Sequence, residues 1–353
     1  MGNTMENKIF KYQGGELPLP LFFPDATKAV VRSVDSQDIV NTKTLGILVN
    51  TLHLYLDLGK KILKKFGGIG PFMNWPGALI SDSGGFQVMS LAKKGSGKVT
   101  DEGVSFHLNK KKRVLLTPEK SIQFQWLLNT DLLVVLDDFT PPKADYRTAK
   151  DTVERTIAWA KRSKAKFEEL AETDKRRPYL CAVVQGGFFP DLRRECSQRL
   201  AQIGFAAYGY GGWPINQDNS FDYQTAQIIK DNTPAGSLLY GLGIGKPDEI
   251  ASLYRIGYNI FDCVLPTRDA RHGRLYVSDN GNKGYQFYTP NKEKYYNDDR
   301  PIDPKCDCLL CTRYSRAYLR HLFQIEDLTA IRLATIHNLR FYAKLMERLR
   351  KAK

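Results

Sequence analysis

The chain has 353 residues, 42% of them hydrophobic and 25% charged, the make-up of a globular protein rather than a disordered or fibrous one. No run of about 18 apolar residues occurs and the opening residues lack the apolar core of a signal peptide, so a cytoplasmic protein without a membrane partner is expected. Lys and Arg number 52 against 38 Asp and Glu, a formal charge of +14 that suits a polyanionic partner such as nucleic acid.

Residues 1–20 are polar and rich in Gly and Pro, and predict a short β-hairpin or lid ahead of the fold. From about residue 44, short apolar runs ending in Gly, Asp, Asn or Gln alternate with amphipathic segments. The runs fall at 45–50, 78–85, 132–138, 180–187, 205–212, 238–245 and 260–265, with helical patterns at 146–170, 192–203 and 246–257. Alternating elements with strands buried on both faces imply a parallel sheet. Seven visible strands, with an eighth near residue 30 or 275, predict a (β/α)8 TIM barrel. The G-x-G-x-x-G turn of an open doubly wound sheet is missing. Residues 91–118 are too many for one connecting helix and read as an inserted β-ribbon with a glycine-rich tip. One domain of residues 1–353 is expected, with a C-terminal zinc-binding subdomain at about 275–353.

In such a barrel the C-terminal ends of the strands converge on one mouth, where catalytic groups sit. Those ends carry Asn50, Asp82, Asp137 with Asp138, Gln185, Gly211 and Gly212, Gly243, and Asp262. Carboxylates gathered on one rim raise one another's pKa and cost stability, a pattern typical of catalytic sites. A lone Asp262 would read as the end of a strand; in this company it points to an enzyme. Pro266 stops its strand, and Arg268 and Arg271 follow at once, giving the carboxylate a surface suited to phosphates.

Near the C-terminus Cys306, Cys308 and Cys311 fall within six residues, and His337 lies in a later helical pattern. Three thiolates and an imidazole match a closed Cys3His shell for one structural Zn2+, with no open position for chemistry. Cys181, Cys196 and Cys263 sit in apolar contexts and are expected in the core.

Taken together, SDSGGFQVMSL (81–91), VVQGG (183–187), the glycine pair at 211–212, GIGKP (243–247), FDCVLPTR (261–268) and C-x-C-x2-C with His337 resemble the tRNA-guanine transglycosylases in order and spacing. The similarity runs from about residue 14 to the end. It implies a (β/α)8 barrel that exchanges the anticodon wobble guanine of tRNA for a 7-deazaguanine base in the queuosine pathway, acting as a homodimer. Carried over by motif, Asp262 resembles the nucleophile that holds the RNA through C1′ of the ribose. Asp82 resembles the acid and base that serves the two bases. Asp137, Gln185 and Gly212 resemble the groups that read the purine edge, and Phe86 and Leu242 the faces that sandwich it. Lys246, Arg268 and Arg271 resemble phosphate-gripping residues. Phe139 and the run Trp213 to Gln217 depart from the family pattern: Gln217 stands where a glutamate usually helps to bind an aminomethyl base. Two other readings share parts of this pattern: a DNA 7-deazaguanine transglycosylase, and a non-catalytic RNA-binding barrel.

Overall fold

The computed structural model describes residues 9–85, 97–109, 112–174, 176–279 and 284–352. Eight strands form one sheet: β1 (Leu21–Pro24), β2 (Gly46–Asn50), β3 (Ala78–Asp82), β4 (Leu132–Val134), β5 (Tyr179–Val184), β6 (Ala207–Tyr210), β7 (Leu238–Gly241) and β8 (Ile260–Cys263). Neighbours run parallel in sequence order, and β8 pairs with β1, setting Asp262 opposite Phe23. A parallel bridge from Asp25 to Leu48 joins the two remaining edges and brings the sheet to a nearly closed barrel. Helices such as Tyr146–Thr173, Pro190–Ile203, Tyr223–Asp231 and Pro247–Ile256 alternate with the strands and cover them. These strands are buried on both faces, which explains their unbroken apolar runs.

The eighth strand expected near residue 30 or 275 is at neither place. It is β1, only four residues long and lying between Pro20 and Asp25. Leu275–Ser278 pairs antiparallel with Tyr285–Tyr288, in a hairpin outside the barrel sheet.

The early hairpin forms as expected, from Ile9–Tyr12 and Gly15–Pro18, yet it is no lid over the mouth. Its Gln13 N–H donates to Asp131 at 2.9 Å and its Lys11 N–H to the Tyr179 hydroxyl at 3.1 Å, both at strand beginnings. It therefore closes the end of the barrel opposite the strand termini. Phe10 is fully buried there, 6.1 Å from Phe23 and 5.0 Å from Tyr179 between ring centroids. Burying one such ring contributes roughly 1.5–3 kcal/mol.

The inserted ribbon has three antiparallel strands, Gly97–Thr100, Gly103–Asn109 and Lys112–Leu116. It docks on the long helix Tyr146–Thr173, where the Trp159 indole N–H and Arg162 Nη1 both donate to the Asp101 carbonyl. At the far end of the chain, helix Leu328–Lys351 returns to the barrel. Tyr342 packs on Phe22 at 4.5 Å and donates its hydroxyl to the Gly245 carbonyl at 2.6 Å. Asn338, one position after His337, ties this helix to the carbonyls of Pro266 and Arg274 and accepts from the Tyr276 N–H.

Candidate active site

Parallel register brings the strand-end residues onto one rim. Asn50 and Asp82 are opposite one another on β2 and β3, and Asn50 Nδ2 donates to Asp82 Oδ2 at 2.8 Å. The other end of the same amide caps helix Thr51–Asp57 by accepting the His53 N–H, so its orientation is fixed. Burial pushes the half-buried Asp82 carboxyl up to about 6, against the pull of the Gly84 N–H and Asn50.

Asp262, the third residue of β8, is half-buried and accepts two hydrogen bonds on Oδ1. Tyr240, from β7, donates its hydroxyl at 2.8 Å, and the Gly243 N–H donates at 2.8 Å. Gly243 adopts φ +69, a turn conformation that a side chain would strain. Oδ2 has no protein donor among the described residues. Burial raises this carboxyl to about 7, with the charges of Asp82 and Asp25 adding to the push.

A third carboxylate, Asp137, lies just past β4. Its Oδ2 accepts from Gln185 Nε2 at 2.6 Å, while Gln185 Oε1 accepts the Thr140 N–H at 3.1 Å, which settles the amide orientation. Burial drives Asp137 up to about 7, with the negative charges of Asp82 and Asp138 pushing the same way. A Cβ on Gly85 would stand 3.1 Å from Asp137 Oδ1, and one on Gly211 would stand 2.7 Å from Gln185 Nε2. Asp137, Gln185 and the glycine loops thus form one compact polar wall. Leu242 covers Gly209 from inside the barrel: a Cβ there would come within 2.6 Å of its methyl.

The rim is less uniform than the strand-end rule implies. Asp138 turns away from Asp137 and is ion-paired with Arg155 of the long helix, so it belongs to the packing around the site. Lys246 is exposed and paired with Glu249 at 2.8 Å. Arg268 is exposed on the short helix Leu265–Arg271, while Arg271 is half-buried and its Nη1 has no partner among the described residues. Burial and the neighbouring charges of Arg32 and Arg268 hold the Arg271 guanidinium below its usual range. Arg32 therefore joins the two expected arginines in one cationic patch. Phe86 lies outside the described residues.

Two further residues of the rim escaped sequence reading. Tyr240 reads as one more apolar strand position. Asp25 follows the unrecognised first strand; its Oδ1 accepts from the N–H and hydroxyl of Thr27, and its charge acts on both Asp82 and Asp262. In the departing run, Trp213 and Gln217 are exposed, whereas Asn216 and Asp218 are both bonded to Ser220 within their own loop.

The metal ligands expected from spacing do come together. The donor atoms of Cys306, Cys308, Cys311 and His337 all lie within 4.8 Å of one another. His337 Nδ1 is 3.5 Å from Cys308 Sγ and 3.2 Å from Cys311 Sγ. Tetrahedral ligands at zinc distances stand roughly 3.5 Å apart, so the cluster has the dimensions for such an ion. Nε2 bonds the Tyr276 carbonyl at 2.7 Å, which leaves Nδ1 with its lone pair toward the sulfurs.

Among the described residues no helix is long and apolar enough to cross a membrane. A family model described as Queuine tRNA-ribosyltransferase matches residues 8–352. A queuine tRNA-ribosyltransferase of Thermoanaerobacter sp. (strain X514) is 40% identical over 346 residues, 98% of this chain and 88% of the relative. Its counterpart in Psychrobacter sp. (strain PRwf-1) is 38% identical over 340 residues, 96% of this chain and 87% of that one. That of Haemophilus influenzae (strain PittEE) is 38% identical over 335 residues, covering 94% and 84%. A likeness of this length, on a barrel whose rim gathers the motif carboxylates, leaves one assignment: the chain belongs to the queuine tRNA-ribosyltransferase family and is a glycosyl-transferring enzyme.

Proposed function

We propose that this enzyme exchanges the anticodon wobble guanine of tRNA for a 7-deazaguanine base through a covalent aspartyl-ribose intermediate. The observation that carries the reading is the pair of half-buried carboxyls on one rim, Asp82 at about 6 and Asp262 at about 7. Burial raises both, so that one can keep its proton while the other is ionised, as a reaction needing one acid and one nucleophile requires. The motif, rather than the two values, assigns that proton to Asp82.

The target guanine leaves the stack, because a stacked base hides its sugar carbon. Asp262 Oδ2 attacks C1′ from the face opposite the base while Oδ1 stays fixed by Tyr240 and Gly243. The glycosidic bond breaks, its electron pair goes to the guanine, and Asp82 gives the guanine a proton. The incoming base then loses a proton to Asp82 and attacks C1′, and Asp262 departs as a carboxylate. Two displacements keep the configuration, as in retaining glycosidases. Asp137 and Gln185, with the backbone of Gly212, read the base edge, Leu242 supports one face, and Phe86 is assigned the other. Arg268, Arg271 and Lys246 face the phosphates.

Cys306, Cys308, Cys311 and His337 are inferred to hold one Zn2+, which supplies a rigid cross-link rather than chemistry. The same reading makes the chain a cytoplasmic homodimer as a single domain, 1–353. The test is incorporation of labelled guanine into tRNA and into DNA of matching sequence. Incorporation into tRNA alone supports the reading; incorporation into DNA alone replaces it with the DNA enzyme, and none into either refutes base exchange.

A further inference from the structure

A buried guanidinium with no role in the scheme above lies behind the loops of the polar wall. Arg193, in helix Pro190–Ile203, is fully buried. Its Nε donates to the Gly187 carbonyl at 2.8 Å, and its Nη1 to the carbonyls of Val184 at 2.6 Å and Gly211 at 2.8 Å. The guanidinium also lies over the Tyr210 ring, 5.2 Å from the centroid. One side chain thus ties the loop after β5, which carries Gln185, to the loop after β6, which carries Gly212. Its Nη2 is buried and donates to no protein group among the described residues.

Gly212 lies directly against this group. It adopts φ +82, and a Cβ there would stand 3.2 Å from Arg193 Nη2 and 3.2 Å from Gln185 Oε1. In a trans peptide the carbonyl and the following N–H point in opposite directions. Because the Gly211 carbonyl is held on the guanidinium side, the Gly212 N–H is turned away from the guanidinium. A cationic donor on the carbonyl also polarises the peptide and strengthens that N–H as a donor.

We propose that Arg193 is a positioning residue for base recognition, fixing the Gly211–Gly212 peptide and the Gln185 loop as one rigid edge-reading unit. The proposal rests on the base-exchange reading. A lysine cannot replace the fork, since a point charge does not span three carbonyls on two loops.

The experiment compares wild type, Arg193→Lys and Arg193→Gln in three measurements: steady-state guanine incorporation at saturating tRNA, covalent capture of tRNA, and melting temperature. In Arg193→Lys the KM for guanine should rise about 10-fold, equivalent to one neutral hydrogen bond, with kcat within about threefold and capture unchanged. An unchanged KM in folded variants overturns the proposal. So does a joint fall of kcat, capture and melting temperature, or failure of both variants to fold, since Arg193 would then be a structural staple. A wild type that exchanges no base refutes the proposed function and this inference with it. An active wild type with an indifferent Arg193→Lys refutes this inference alone.

Discussion

Replacing Tyr240 with Phe removes one of the two donors to Asp262 Oδ1 and keeps the ring that fills the barrel interior. A hydrogen bond to a charged acceptor contributes about 1.5–3 kcal/mol, and about 1.4 kcal/mol corresponds to one pH unit in a pKa. The Asp262 carboxyl, already raised to about 7, should therefore rise further in Tyr240→Phe. A rise of about one to two pH units lowers the ionised fraction on the acid side of the midpoint by about 10- to 100-fold. In the proposed reaction only the carboxylate attacks C1′, so covalent capture of tRNA below the midpoint should slow by about the same factor. The acid limb of the pH–rate profile should move toward alkaline pH in Tyr240→Phe, while the alkaline limb, set by loss of the Asp82 proton, should stay where it is. The assay is the rate of denaturant-resistant protein–RNA adduct formation in a single turnover, measured from pH 5.5 to about 9.5. A midpoint that does not move in Tyr240→Phe refutes the claim that this hydroxyl tunes the nucleophile.

Asp262→Asn should abolish capture yet stabilise the protein above neutrality. The folded carboxyl is raised, so the native state binds the extra proton between about pH 4 and 7 and stability is lost as pH rises through that window. Melting curves should show a gain on the order of 1–3 kcal/mol at pH 8 and none at pH 4; equal curves at both would disprove the linkage. Asp25→Asn removes a charge that raises both Asp82 and Asp262, so the pH–rate profile should move toward acid, and an unmoved profile would count against an electrostatic role for Asp25. Metal analysis should find one zinc per chain in wild type and well under one in Cys311→Ser, with a lower melting temperature. Active wild type devoid of zinc would reject the assignment. In competition assays the aminomethyl base should be less favoured than nitrile or queuine-like bases, because Gln217 is neutral and Asp218 is spent on Ser220. Strong selectivity for the aminomethyl base would mean that another acid has taken over the role.

Legibility from sequence followed the range of the interaction. Strand ends such as Asp82, Gln185 and Asp262 stand out because a buried apolar run must stop at a polar residue when it reaches the mouth. The Cys3His cluster is legible because three of its members lie within six residues. β1 is hard to read because four residues that follow Pro20 and end in Pro24 look like a turn, and Asp25, which obeys the same strand-end rule, is hidden with it. Asp137 and Asp138 are indistinguishable as letters. Which of them faces inward depends on Arg155, 17 residues beyond Asp138, and that is known only once the long helix is placed. Arg193 is hidden for a similar reason: a charge on an amphipathic helix reads as solvent-facing until the loops behind it are seen.

The hairpin that seals the lower end of the barrel has a kinetic consequence. With Phe10 buried between Phe23 and Tyr179, the described residues leave no second exit through the axis at the hairpin end. In the base exchange proposed above, the departing guanine and its replacement would use the same doorway while the tRNA stays held. The two bases would then be mutually exclusive occupants, so the proposed reaction should follow a ping-pong order, with free guanine competing directly with the incoming base.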